Sequence, residues 1–129
     1  MNEIVRILDR GYSMIWREDR LEDALRGLEP EFEWVVPRHP DGEVRHGPEA
    51  TIAFFRDWRD SWEDLEVDWE LLPAGEGQVL AIVVMRGRGP GSGAPVEMRV
   101  GQLWTFEGTT AKRMVMYHDL DEARTAAGL

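Results

Sequence analysis

The chain has 129 residues, of which 43% are hydrophobic and 31% charged, and this length and balance predict one globular domain over residues 1–129. Its formal net charge of −10 disfavours nucleic acid and anionic membranes as partners, since both are polyanions bound through Lys and Arg. The lack of cysteine excludes disulfides, thiolate nucleophiles and cysteine-ligated zinc, and it fits a reducing cytoplasm.

The first part of the chain predicts two helices and a strand. Asn2 can cap a first helix that carries Tyr12 on its apolar side. A short amphipathic helix follows over residues 21–28. Residues 31–36 alternate between apolar and other side chains, which is typical of a strand, and Pro37 ends it.

The rest of the chain predicts a helix, a run of strands and a closing helix. Residues 37–47 are rich in Pro, Gly and His and predict a loop, after which Pro48 opens a third helix. Four strands are predicted over residues 65–71, 79–85, 96–106 and 112–118. Asp119 can cap the last helix, over residues 120–127. The order predicts an α+β domain with helices packed on one side of a curved antiparallel sheet.

The longest predicted strand carries one polar group on an apolar face. With the two-residue period of a strand, one face of it holds Val96, Met98, Val100, Gln102, Trp104 and Phe106. A single amide in an apolar wall is typical of a small-molecule pocket. The other face, with Arg99, Leu103 and Thr105, suits water or a subunit contact.

Four motifs resemble a known family, the SnoaL-like branch of the nuclear transport factor 2-like superfamily. They are Phe32-x-Trp34, the segment His46-Gly47-Pro48-Glu49-Ala50-Thr51-Ile52-x-Phe54-Phe55, the segment Gln102-Leu103-Trp104-Thr105-Phe106-x-Gly108, and the segment Met116-Tyr117-His118-Asp119-Leu120-Asp121-Glu122-Ala123. The resemblance covers nearly the whole chain and implies a cystatin-like cone, in which helices pack over the concave face of the sheet. The superfamily includes ketosteroid isomerases, polyketide cyclases, dehydratases and epoxide hydrolases, so it implies architecture more sharply than activity.

Most of the catalytic residues that the resemblance would imply are absent. Tyr12 matches the tyrosine of ketosteroid isomerases, but Gln102 stands in place of the strand aspartate and Val36 in place of the base. Since Val36 cannot accept a proton, isomerisation by that mechanism is disfavoured. The acid–base set of limonene epoxide hydrolases, which would fall near Val100, Gln102 and Met116, is absent too.

Tyr12 and His118 are the candidate catalytic residues. The His118 imidazole can titrate near neutral pH, and His118 follows Met114 and Met116 on one side of the last predicted strand. The alternative is a rim histidine that is hydrogen-bonded to Asp119 or to a loop. Tyr12 is either a hydrogen-bond donor to a ligand or a core residue with a satisfied hydroxyl. Gln102 must find a partner, which could be a ligand, Tyr12 or water.

The candidate ligand-binding residues form an apolar, adaptable set, with plain core packing as the alternative for each. They are Trp16, Trp34, Trp58, Met98, Gln102, Trp104, Met114 and Met116. His39 and His46 with Asp41 or Glu43 have irregular spacing, so no metal is predicted. No cofactor is predicted either, and the glycine-rich residues 87–93 are interpreted as a hairpin connection.

Three functions remain open from the sequence. The first is a cytoplasmic homodimer that binds an apolar or aromatic small molecule. The second is an acid–base enzyme of the isomerase, cyclase or dehydratase type that uses Tyr12, Gln102 and His118. The third is a non-catalytic dimeric interaction module, which the mixed outer face with Arg99, Leu103 and Thr105 favours.

Overall fold

A computed structural model describes residues 2–36, 43–89 and 93–129 of the chain. The helices are α1 (Glu3–Trp16), α2 (Leu21–Leu25), α3 (Gly47–Asp60) and α4 (Leu120–Ala127). The strands are β1 (Glu33–Val36), β2 (Glu43–His46), β3 (Glu63–Pro73), β4 (Gln78–Arg88), β5 (Pro95–Glu107) and β6 (Thr110–Tyr117). The described residues contain no helix long and apolar enough to cross a membrane.

The strands form one six-stranded sheet in the order β2-β1-β6-β5-β4-β3. All neighbours are antiparallel except β1 and β6, where Trp34 lies opposite Met114 in a parallel pair. This confirms the predicted α+β domain with a curved sheet. The loop predicted over residues 37–47 is wrong in part, because residues 43–46 form the edge strand β2, paired with β1. Residues 37–42, including His39, lie outside the described residues.

The first helix begins at the cap that its sequence predicts, and it buries the face that its sequence predicts. The Asn2 side chain accepts a hydrogen bond from the Ile4 backbone N–H at 2.8 Å, which satisfies a free donor of the first turn. The buried stripe of α1 consists of Val5, Leu8, Tyr12 and Ile15. Tyr12 is therefore held against the concave face of the sheet.

The concave face of the sheet carries the main hydrophobic core. On β5 its buried members are Val100, Gln102, Trp104 and Phe106. The apolar face predicted from residue 96 is shorter than expected, since Val96 is 37% exposed and Met98 is half-buried. Only the second half of β5 lies beneath the helices.

The last helix packs on the opposite, convex face of the sheet. There Ala123 and Ala127 of α4 form a small second core with Leu80 and Leu103. A Cβ added at Gly101 would lie 2.5 Å from the Ala123 Cβ, so the helix sits directly on the glycine backbone. Leu103 is thus covered by α4, and the expectation that it faces water or a subunit is wrong.

Candidate functional site

Three side chains from α1 and β5 form a buried hydrogen-bonded chain at the centre of the concave face. Trp104 Nε1 donates to the Tyr12 hydroxyl at 2.9 Å, and that hydroxyl donates to Gln102 Oε1. All three side chains are buried, with exposed fractions of 2% for Tyr12, 2% for Gln102 and 6% for Trp104. Of the partners open to Gln102 from the sequence, the structure gives Tyr12.

The direction of this chain follows from donor chemistry. An indole N–H can only donate, so the Tyr12 oxygen accepts a hydrogen bond from Trp104. The Tyr12 O–H then donates its own hydrogen bond to Gln102. The amide oxygen of Gln102 therefore faces Tyr12, and its NH2 group faces away. Burial is the larger influence on Tyr12 and raises its pKa, while the hydrogen bond from Trp104 acts in the opposite direction. The Tyr12 hydroxyl therefore both donates and accepts a hydrogen bond, and it stays protonated at neutral pH.

A cavity of about 310 Å³, which we call the outer cavity, opens on the Tyr12 side of this chain. It lies between α1, the α2 region, Phe55 of α3 and the turn that joins β5 to β6. Its lining residues are Ile7, Leu8, Gly11, Tyr12, Ile15, Ala24, Leu25, Gly27, Leu28, Glu29, Phe55, Trp104, Phe106, Thr109, Thr110 and Ala111. Apolar side chains dominate its walls.

Polar groups lie on one part of the outer cavity's lining, which includes Glu29, Thr109 and Thr110. Glu29 Oε1 accepts a hydrogen bond at 2.8 Å from Lys112 Nζ, which is not itself part of the lining, and both side chains are partly exposed. The hydrogen bond to Glu29, together with the negative charges of nearby carboxylates, raises the Lys112 pKa. Thr109 and Thr110 add two hydroxyls to the same lining. The cavity therefore combines apolar walls with a few hydrogen-bonding groups.

A second space, which we call the inner cavity, lies on the Gln102 side of the chain and is almost filled. Its volume is about 10 Å³, close to the space of one water molecule. Its lining residues are Trp16, Trp34, Phe54, Phe55, Trp58, Met85, Val100, Gln102, Met116 and His118. His118 is exposed and follows the last residue of β6.

The predicted site residues are divided between the two cavities. Tyr12 and Trp104 line the outer cavity. The inner cavity is lined by Trp16, Trp34, Trp58, Gln102, Met116 and His118. Neither cavity is lined by Met98, which lies near the start of β5, or by Met114, which is fully buried between β1 and β5. The structure therefore does not bring Tyr12 and His118 together in one cavity.

Sequence reasoning missed the apolar residues that open the outer cavity. Ile7 is 39% exposed, and a Cβ added at Gly11 would meet no atom within 4 Å. An exposed isoleucine one turn before a glycine on the apolar side of α1 is the sequence signal that was available. Among the residues described, no group of three or more His, Cys, Asp or Glu could hold a metal ion.

The six-stranded curved sheet with helices on its concave face defines a protein of the nuclear transport factor 2-like cone class. A nuclear transport factor 2-like protein of unknown function from Burkholderia pseudomallei is 18% identical, with both chains fully covered and a TM-score of 0.74. The SnoaL-like domain family matches residues 9–114, and this chain belongs to that family.

Two further solved structures have the same fold. TerC, co-crystallised with polyporic acid, is 17% identical over 99% of this chain and 100% of its own, with a TM-score of 0.72. A protein from Jannaschia sp. CCS1 assigned as a SnoaL-like polyketide cyclase is 21% identical over 98% and 95%, with a TM-score of 0.73. At these identities the likeness establishes the fold alone. No curated protein matches the chain.

Proposed function

We propose that this protein binds a small, uncharged apolar or aromatic molecule in the outer cavity. The observation that carries the proposal is the preformed space of about 310 Å³ with mainly apolar walls. Small-molecule sites in proteins are typically concave, apolar and a few hundred Å³ or more in volume. The co-crystal of TerC with polyporic acid supports a small molecule as the kind of ligand for this fold.

The polar lining of the cavity gives the ligand an orientation. An apolar ring packs against Tyr12 and Trp104, while a hydroxyl or similar group faces Thr109, Thr110 and Glu29. An anionic ligand is disfavoured by the net charge of −10. The ligand class is therefore an uncharged molecule with one polar end.

In the proposed function, Tyr12 does not act as an acid or a base toward the ligand. The Tyr12 O–H already donates its hydrogen bond to Gln102, and the Tyr12 oxygen already accepts one from Trp104. Proton transfer to a ligand would break that buried chain and leave a phenolate in an apolar site, which burial opposes. His118 lines the inner cavity and so offers no second acid or base to a ligand in the outer cavity.

The experiment fills the cavity from Gly11 and uses naphthalene as the probe. A side chain at this position starts in open space, so Gly11→Phe projects a ring into the cavity. The matched control is Gly11→Ala, which also replaces the glycine with a better helix former but adds only one methyl group. Binding is measured by titration calorimetry and by quenching of Trp fluorescence.

We expect the wild type and Gly11→Ala to bind naphthalene within about threefold of each other, and Gly11→Phe to bind at least about tenfold more weakly. Equal binding by all three proteins would refute the outer cavity as the site. An absence of binding by the wild type to naphthalene, indole and benzene would refute the ligand class. Native mass spectrometry of gently purified protein would test for a retained ligand and for the proposed homodimer.

A further inference from the structure

One wall of the outer cavity is a short segment between α1 and β1, residues 19–29, which we call the α2 segment. Its residues on the cavity are Ala24, Leu25, Gly27, Leu28 and Glu29. The helix α2 within it has only 5 residues, and the side chain of its N-cap residue, Arg20, makes no capping hydrogen bond in the described structure. A helix of this length is unstable on its own backbone bonds, so the α2 segment depends on contacts with its neighbours.

The apolar contacts of the α2 segment are few. Among residues 19–29, all of which the structure describes, only Leu21 and Leu25 are fully buried, each with an exposed fraction of 3%. A Cβ added at Gly27 would meet no atom within 4 Å, so the packing is loose at that end. By contrast, α1 buries four side chains in the core. A wall that buries little apolar surface opens more readily than the rest of a fold.

Ion pairs fasten the α2 segment to the elements on either side of it. On the α3 side, the pairs are Arg59 Nη1 with Asp19 Oδ1 at 3.0 Å, Arg56 with Glu22, and Arg26 with Glu49. On the β6 side, Lys112 Nζ pairs with Glu29 Oε1 at 2.8 Å. Glu22 also pairs with Arg26 at 3.3 Å, so the pairs around Glu22 form one network.

These ion pairs lie at the protein surface. The two members of the Arg56–Glu22 pair have side-chain exposed fractions of 43% and 51%. Salt screens exposed pairs, and each such pair contributes little by itself, but several pairs that act on one short segment add up. The attachment of the α2 segment is therefore sensitive to ionic strength.

We propose that the α2 segment is a lid over the outer cavity, held closed by these ion pairs. The inference rests on the proposed function, in which a ligand packs against Tyr12 and Trp104. Both residues lie deep, with exposed fractions of 2% and 6%, and so does Phe55 of the opposite wall, at 2%. A ring in contact with them enters and leaves past the wall that yields most readily, which is the α2 segment. Breaking the ion pairs therefore speeds ligand exchange.

Hydrogen exchange of the free protein tests the motion without a ligand. The reporters are the backbone amides of Ala24, Arg26 and Leu28, which donate to acceptors within the α2 segment at 3.1, 2.8 and 3.1 Å. Raising NaCl from about 0.01 M to about 1 M shortens the Debye length from about 30 Å to about 3 Å. We expect the protection of the reporter amides to fall roughly 3- to 10-fold, while amides in the middle of α1 and α3 change by less than about twofold.

A variant of one ion pair separates the lid from a general effect of salt. Arg56→Gln should lower the protection of the reporter amides about threefold at low salt and reduce the effect of added salt. The matched control is Arg86→Gln, which makes the same charge change at a similarly exposed residue whose partners, Asp68 and Glu97, do not line the cavity. It should leave the reporter amides unchanged.

Stopped-flow Trp fluorescence then measures the entry and release of naphthalene. In Arg56→Gln both rates should rise about threefold with nearly unchanged affinity, because a looser lid speeds entry and exit alike. The wild type and Arg86→Gln should exchange naphthalene at the same rates. A variant that had only damaged the cavity would instead lose affinity, with faster release and no faster entry.

Two results would overturn the inference. One is protection of the reporter amides that equals the protection of the α3 amides at every salt concentration. The other is unchanged naphthalene exchange in Arg56→Gln although its reporter amides exchange faster, which would mean that the ligand passes elsewhere. If the wild type does not bind naphthalene, the proposed function fails, and hydrogen exchange of the free protein alone decides whether the α2 segment opens.

Discussion

Removing the Tyr12 hydroxyl is expected to destabilise the fold by about 2–4 kcal/mol. Tyr12→Phe leaves two buried groups unpaired, Gln102 Oε1 and Trp104 Nε1, and each unpaired buried group costs roughly 1–3 kcal/mol. The stacking of ring 12 on Trp69, at 5.8 Å between centroids, is retained in the variant. Since Tyr12 and Trp104 line the outer cavity, water can reach part of the gap, which keeps the cost below the sum of the upper values.

The assay is guanidinium unfolding at pH 7, followed by circular dichroism and Trp fluorescence. The midpoint should fall with little change in the slope, because the surface exposed on unfolding is nearly the same. The double variant Tyr12→Phe, Gln102→Leu removes both partners of one bond and should cost less than the two single losses added together. A loss under about 1 kcal/mol for Tyr12→Phe, or strict additivity, would refute the assignment of a structural hydrogen-bonded chain.

Three further outcomes are expected. Gly101→Ala should cost about 1–3 kcal/mol in thermal or chemical unfolding, because the new methyl collides with Ala123, and Ala123→Gly in the same chain should restore most of it. Burial raises the Tyr12 pKa above its ordinary value of 10.0, so the unfolded phenol ionises first. Stability should then be intact below about pH 10 and fall by up to about 1.4 kcal/mol per pH unit above it, and in a titration of unfolding midpoints Tyr12→Phe should lack that part of the slope. Thr51→Val should lose about 0.5–1.5 kcal/mol in denaturant unfolding, since the buried Thr51 hydroxyl donates to the Gly47 carbonyl at 2.8 Å; unchanged stability would contradict a role for that bond.

Most of the fold could be predicted from the sequence, because the long helices and strands have a strongly periodic pattern of apolar residues. The stripe that holds Tyr12 and the alternation of β5 around Gln102 each predicted the face that is buried. The edge strand β2 was missed, since four residues beside a Pro- and Gly-rich stretch carry little periodicity of their own and depend on pairing with β1. The face on which α4 packs was not predictable, because it depends on a close approach of Ala123 to Gly101 across the sheet.

The candidate site could be predicted only as a set of inward residues. The polarity pattern indicated that Gln102 needs a partner, but it left Tyr12, water and a ligand open. The division of the aromatic residues into an open cavity and a nearly filled one depends on the distance between α1 and β5, which are far apart in the sequence. A one-dimensional pattern reports which side chains turn inward and not how much space remains between them.

Because β1 pairs with β6, which is the last strand in the sequence, the sheet can be completed only after the other strands have been made. The meander from β3 to β6 can form from neighbouring strands, whereas Glu33 finds its partner Arg113 only after nearly all of the sheet has been synthesised. Until then, the β1–β2 hairpin carries an unpaired inner edge with Trp34, Val35 and Val36 along it. Such an apolar edge is a template for aggregation, so slow or interrupted translation before β6 is the moment of greatest risk for this protein.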